Sequence, residues 1–199
     1  MQPVVQDRAY KIVIIGDSEV GKSSLLRRFC DSEFDDRESV TIGIDFRAKT
    51  TKVDSRDCKL TIYDTAGQCK FRTLCASFYR QSDGILLVYD VTKRTSFSSL
   101  KGWLEEVERY LGDSCPHIMI VGNKIDRDSS REVDREMGMN FAREQGALFV
   151  EASARQGDHV EFAFHELVRK IIDSNMTDSS KYRPSMVLES SDSSNGCCT

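Results

Sequence analysis

The sequence predicts an α/β fold in which a mostly parallel sheet is covered by helices on both faces. Three observations carry this. Short runs of strand length, Tyr10–Ile15, Gly84–Tyr89, His117–Val121 and Leu148–Val150, alternate with stretches of helical spacing, and such alternation points to a parallel sheet packed between helices. Gly84–Tyr89 is a continuous apolar run, as a strand buried on both faces requires. Directly after Ile12–Ile15 comes Gly16-Asp17-Ser18-Glu19-Val20-Gly21-Lys22-Ser23. It reads G-x-x-x-x-G-K-S, a loop that joins a buried strand to a helix and cradles phosphate.

Taken in order, Tyr10–Ile15 is the first strand and Lys22–Cys30 the first helix. The acidic connector from Asp31 to Val40 reads as a solvated loop. Ile44–Val53 and Cys58–Tyr63 form a hairpin across the turn Asp54-Ser55-Arg56-Asp57. Asp64–Phe71 has no periodicity and reads as a loop. Phe97, Leu100, Trp103, Leu104 and Val107 place a helix over Ser96–Leu111, with Trp103 in the core. Val133–Gln145 and Val160–Ile172 are the last two helices, the second aligning Phe164, Leu167, Val168 and Ile171. From Asp173 to Thr199 the chain is serine-rich and polar, too poor in apolar residues to order itself, and reads as a flexible tail.

Composition narrows the function. The 199 residues suffice for one cored domain plus spare length. A net charge of −4 gives no basic footprint for nucleic acid. No apolar run of about 18 residues is present, so no transmembrane helix is expected. Met1–Arg8 lacks the basic-then-apolar pattern of a signal peptide, which points to the cytosol. Seven scattered cysteines fit reduced thiols there. Cys30, Cys58 and Cys115 read as packing residues, and Cys69 with Cys75 lacks the further ligands a zinc site needs.

In a parallel sheet, ligands bind beyond the carboxyl ends of the strands, and four motifs fall there. In the first, Gly16 and Gly21 let backbone N–H groups close on a polyphosphate, Lys22 adds a charge, and Ser23 offers a hydroxyl to Mg²⁺. Asp64-Thr65-Ala66-Gly67-Gln68 supplies an aspartate able to hold Mg²⁺ through water and a glycine N–H for a terminal phosphate. Asn123-Lys124-Ile125-Asp126 supplies a carboxylate that can accept from N1–H and the 2-amino group of guanine. Adenine offers neither donor, so an unpaired Asp126 would reject ATP by a few kcal/mol. Glu151-Ala152-Ser153-Ala154-Arg155 closes the set.

The order and spacing of these motifs resemble a small GTPase of the Ras superfamily, covered without gaps from about Tyr10 to Ile172. Glu38–Phe46, Lys59–Gln68 and Phe71–Leu74 resemble the Rab branch. Val121–Asp126, Arg131–Arg135 and Leu148–Ala154 are most similar to the Rabs linked to endoplasmic reticulum and lipid droplets. The resemblance implies the G domain of P-loop NTPases, with six strands of which one is antiparallel. It implies residues 1–9 as a short extension, 10–174 as the G domain and 175–199 as a tail.

It also implies roles. Amides from Ser18, Glu19, Val20 and Gly21 through Ser24, with Lys22, would hold the phosphates of GTP or GDP. Ser23 and Thr41 would ligate Mg²⁺, with Asp64 behind a water. Gly67 would meet the γ-phosphate and Gln68 would orient the attacking water. Phe34 would pack against guanine, Asn123 and Lys124 would steady the base, Asp126 would read it, and Ser153, Ala154 and Arg155 would close over it. Ile42, Gly43 and the aromatics Phe46, Tyr63 and Phe78 would bind effectors, the bland reading of the aromatics being core packing. Cys197 and Cys198 resemble the paired cysteines that Rabs carry for geranylgeranylation; with no polybasic run upstream, two chains would be needed for stable anchoring. Implied partners are effectors in the GTP form, an exchange factor, a GTPase-activating protein, an escort protein and a GDP-dissociation inhibitor. The implied location is the cytoplasmic face of an endoplasmic reticulum, Golgi or lipid-droplet membrane.

Several positions depart from the Rab pattern. Glu19 stands where glycine is frequent, and its carboxylate is expected to point to solvent. Cys69-Lys70 replaces the usual Glu-Arg used in nucleotide exchange, Tyr63 replaces tryptophan, and Arg155 replaces lysine. Two alternatives share the phosphate loop: a poorly hydrolysing GTP-binding scaffold, and a small P-loop ATPase or kinase, against which Asp126 and Ala154 argue.

Overall fold

β1 (Ala9–Ile15) runs through the middle of a six-stranded sheet of order β2-β3-β1-β4-β5-β6. The computed structural model describes residues 9–35, 44–65, 78–111 and 116–179. β2 (Ile44–Val53) pairs antiparallel with β3 (Arg56–Thr65), and all other pairings are parallel, among them β4 (Gly84–Asp90), β5 (His117–Asn123) and β6 (Leu148–Ala152). Between the strands lie α1 (Lys22–Asp31), α2 (Arg94–Ser98), α3 (Leu100–Leu111), α4 (Arg135–Glu144) and α5 (Val160–Ser179).

Strand alternation sorts the core into two layers. Ile12, Ile14, Leu86 and Val88 meet α1 and α5 on one face, where Phe29 stacks on Phe164 at 4.0 Å between ring centroids. Val13, Ile15, Leu87 and Tyr89 meet α3 and α4 on the other, around Trp103 and Val107. Every residue of β4 is buried, so its apolar run reflects cover from both sides. Cys58 lies in the first layer and Cys30 packs at its edge. Burial pushes both thiols up from their ordinary pKa.

The structure refines several boundaries. The hairpin turn is only Asp54-Ser55, both with positive φ (+48° and +67°), the two-residue geometry whose twist suits a hairpin. β3 therefore starts at Arg56, and at its other end pairing with Ile44 and Asp45 carries it to Thr65, which puts Asp64 on a strand instead of in a loop. The helix expected over Ser96–Leu111 is two helices broken at Ser99. The apolar spacing runs through the break because both pieces face the same layer. A 3₁₀ turn, Ile125–Ser130, follows β5. The last helix extends to Ser179, which corrects the expected tail at 173–179; the Arg56 guanidinium reaches Met176 Sδ at 3.5 Å there. No helix among the described residues is long and apolar enough to cross a membrane.

Candidate functional site

Register fixes where the motifs meet. Ile14 pairs with Asp64, Asp90 with Asn123, and Asn123 with Ala152, so the carboxyl ends of β1, β3, β4, β5 and β6 face one another across the phosphate loop. The loop can turn there because of its two glycines. Gly16 has φ +136° and a Cβ on it would lie 2.2 Å from the Val88 carbonyl oxygen. Gly21 has φ +93° and a Cβ there would lie 2.3 Å from Asn123 Nδ2. No side chain fits either position.

Among the described residues, four side chains hold this loop. Lys22, buried, donates through Nζ to the Gly16 and Asp17 carbonyls at 2.9 and 2.7 Å. Asn123 Nδ2 donates to the Val20 carbonyl at 2.9 Å, while its Oδ1 accepts from the Ala154 amide at 3.2 Å. Lys124 Nζ donates to the Glu19 carbonyl at 2.7 Å. Trp103 Nε1 donates to Asp17 Oδ1 at 2.9 Å, so the expected core tryptophan is also a loop anchor. Sequence reasoning missed that contact, since nothing in the spacing ties residue 103 to residue 17. Glu19 is exposed with φ +68°, consistent with a solvent-facing carboxylate and with a position that favours glycine.

At the β3 side, Ser23 Oγ donates to Asp64 Oδ2. Asp64 Oδ1 is buried and has no hydrogen-bond partner among the described residues. Burial lifts this carboxyl above the usual carboxylate range, while Ser23 and Lys22 pull it back. An orphaned buried carboxylate oxygen beside a hydroxyl is a donor set suited to a hard divalent cation. At the β6 side, Ser153 Oγ donates to Asp126 Oδ1 at 2.6 Å and accepts from the Gln156 amide at 3.0 Å. Arg28 of α1 braces that loop through the Ala154 and Arg155 carbonyls at 2.9 and 2.7 Å, and its guanidinium lies 6.0 Å over the Phe34 ring. Arg155 itself is exposed, and Ser18, Ser24 and Phe34 are half-buried at the rim.

The aromatics form a separate patch on the hairpin. Phe46 is 63% exposed, its ring 6.0 Å from that of Tyr63, which lies 5.1 Å from that of Phe78. Core packing accounts for Tyr63 and Phe78 only in part and for Phe46 not at all. Thr41, Ile42, Gly43, Gly67, Gln68, Cys69, Lys70, Cys197 and Cys198 lie outside the described residues.

Comparison with known proteins agrees with this geometry. The model of the Ras family matches residues 11–173. The zebrafish (Danio rerio) Ras-related protein Rab-18-B is 55% identical over 162 residues, covering 81% of this chain and 78% of that protein. Rab-18 of Lymnaea stagnalis is 51% identical, covering 81% of this chain and 80% of that one. The Arabidopsis thaliana protein RABC1 is 48% identical, with 84% and 79% covered. With GTP and GDP as its nucleotides, the chain belongs to the Ras family as a Rab small GTPase of the Rab-18 type, a switch in membrane traffic that hydrolyses GTP to GDP.

Proposed function

We propose that the strand-end site binds the nucleotide with its phosphates in the Gly16–Ser23 loop and its guanine at Asp126, and that its occupant sets which partners the protein recruits. The observation that carries this reading is the joint between the two ends: Asn123 and Lys124, next to the base-reading Asp126, grip the Val20 and Glu19 carbonyls of the phosphate loop. Lys22 and the amides of Ser18–Ser24 hold the phosphates, and Ser153 presents Asp126 to the guanine N1–H and 2-amino group. Ala154, Arg155 and Phe34 line the base. Ser23 and Thr41 would hold Mg²⁺ directly and Asp64 through a water, with the orphaned Asp64 oxygen in support. When bound, the cation neutralises charge that builds on the β- and γ-phosphates. Gln68 orients the attacking water, and Gly67 reports the γ-phosphate.

The segments around Thr41 and Gly67 order around the γ-phosphate and release after hydrolysis. Ile42, Gly43, Phe46, Tyr63 and Phe78 then receive effectors. Exposure of Phe46 supports that role, since a large uncovered aromatic beside two others marks a contact surface. An exchange factor, a GTPase-activating protein, an escort protein and a GDP-dissociation inhibitor act on the same cycle. Residues 10–174 form the working domain. Lipidation of Cys197 and Cys198 anchors the tail to the cytoplasmic face of an intracellular membrane, with endoplasmic reticulum, Golgi and lipid droplet as the compartments of choice. The test is a pull-down with the protein loaded with GTP or with GDP. Partners retained only by the GTP form, and lost with Phe46→Ala, support the switch; identical sets refute it. Intact mass from cells tests the tail, and an unmodified mass removes the anchor.

A further inference from the structure

Asp90, the last residue of β4, is a carboxylate that neither the phosphate nor the guanine motif includes. It is 5% exposed. Its Oδ1 accepts from the Thr92 backbone N–H at 2.8 Å and from the Thr92 hydroxyl at 2.7 Å, which fixes the rotation of the group. Its Oδ2 lies 2.8 Å from Lys124 Nζ, the ammonium that donates to the Glu19 carbonyl at 2.7 Å. Glu19 and Lys124, at the two ends of that bond, both have left-handed φ, +68° and +70°. Side-chain-bearing residues disfavour that region. Something must therefore hold the bond closed. A lysine on a flexible stem, with three rotatable donors, does not choose one acceptor unless its surroundings fix it.

We propose that Asp90 is a positioning residue of the nucleotide site: its buried carboxylate sets Lys124 as a strap across the phosphate loop and thereby slows nucleotide release. This rests on the nucleotide reading of the site. Asp90 touches no substrate and acts through Lys124. Loss of the strap frees the Glu19 carbonyl and the left-handed turn, and the loop amides no longer stay aimed at the phosphates.

Asp90→Asn isolates the effect, because the amide oxygen keeps both Thr92 bonds while the amide nitrogen cannot accept from Lys124. Release of a fluorescent GDP analogue is measured for wild type, Asp90→Asn, Lys124→Met and the double variant, beside single-turnover hydrolysis of preloaded GTP. Loss of one charge-assisted hydrogen bond corresponds to roughly tenfold faster release in Asp90→Asn. Hydrolysis of bound GTP stays unchanged, and Asp90→Asn adds nothing in the Lys124→Met background. Unchanged release, release and hydrolysis moving together, or additive effects overturn the proposal. If Asp90→Asn does not fold, Thr92→Val, which removes one support of Oδ1, takes its place; faster release supports the strap and an unaltered rate overturns it. Failure of the wild type to retain GDP through gel filtration would instead refute the nucleotide reading itself.

Discussion

The two flanks of the sheet are built on opposite terms. At the carboxyl ends of β1, β4, β5 and β6, each polar side chain is tied to a different element: Lys22 and Asn123 to loop carbonyls, Lys124 to Glu19 and Asp90, Trp103 to Asp17, and Ser153 to Asp126. The β2–β3 hairpin is joined to the body by the β1–β3 ladder and by Val53, Cys58, Leu60 and Ile62 in the core, with Thr51–His165 and Asp54–Arg169 outside, yet it leaves Phe46 uncovered. On the first flank the protein's own side-chain bonds link the loop to the strand ends and fix its shape. The other keeps Phe46 exposed, at the surface proposed to meet effectors. Grip and output are thus separable, and mutations should affect one without the other.

The largest expected effect is on the grip. Gly21→Ala forces a side chain onto φ +93° and against Asn123 Nδ2, which should destabilise the protein by roughly 2–3 kcal/mol in urea unfolding. An unshifted midpoint would show that the loop relaxes freely. Trp103→Phe keeps most of the ring and removes the donor to Asp17. A loss of about 1 kcal/mol is expected, with GDP released several-fold faster; a stability loss without faster release would reduce Trp103 to packing alone.

The hairpin flank should carry the pH dependence. Burial holds the His165 imidazole below its ordinary pKa, with Lys49 and Arg169 acting in the same direction and Glu161 and Asp54 against it. The folded state therefore binds the proton less readily than the unfolded chain, whose value is about 6.5. The contribution is full above that value and is lost as the pH falls below it. Melting temperatures should drop on acidification through this window, and less steeply in His165→Gln. His117, also lowered by burial, has the same sign, so the variant removes only part of the slope. An identical slope would place the dependence elsewhere. The smallest stability effect is expected for Phe46→Ala, within about 0.5 kcal/mol for so exposed a residue, although GTP-dependent capture of partners should disappear.

The same contrast explains what could be read in advance. Strands, the phosphate loop and the base motif were legible because each is a local pattern with its own chemistry. Asp64 was misplaced into a loop because the stretch it opens has no periodicity, whereas pairing with Ile14 of β1 and Asp45 of β2 keeps it on β3. The break at Ser99 was hidden by apolar spacing that both helices share. Ser174 and Asn175 look like tail, yet the backbone helix continues past them, beside Arg56 at the start of β3. The contacts of Asp90 with Lys124 and of Trp103 with Asp17 escaped notice because these partners come near only once the sheet is assembled.

Base recognition is tested most directly by displacing bound GDP with GTP or with ATP at equal concentration. In the proposed site Asp126, held by Ser153, would meet two guanine donors that adenine lacks. GTP in excess should displace GDP fully, while ATP should be weaker by a factor on the order of 10²–10³, as a few kcal/mol for an unpaired polar group implies. Comparable displacement by ATP would contradict the guanine site.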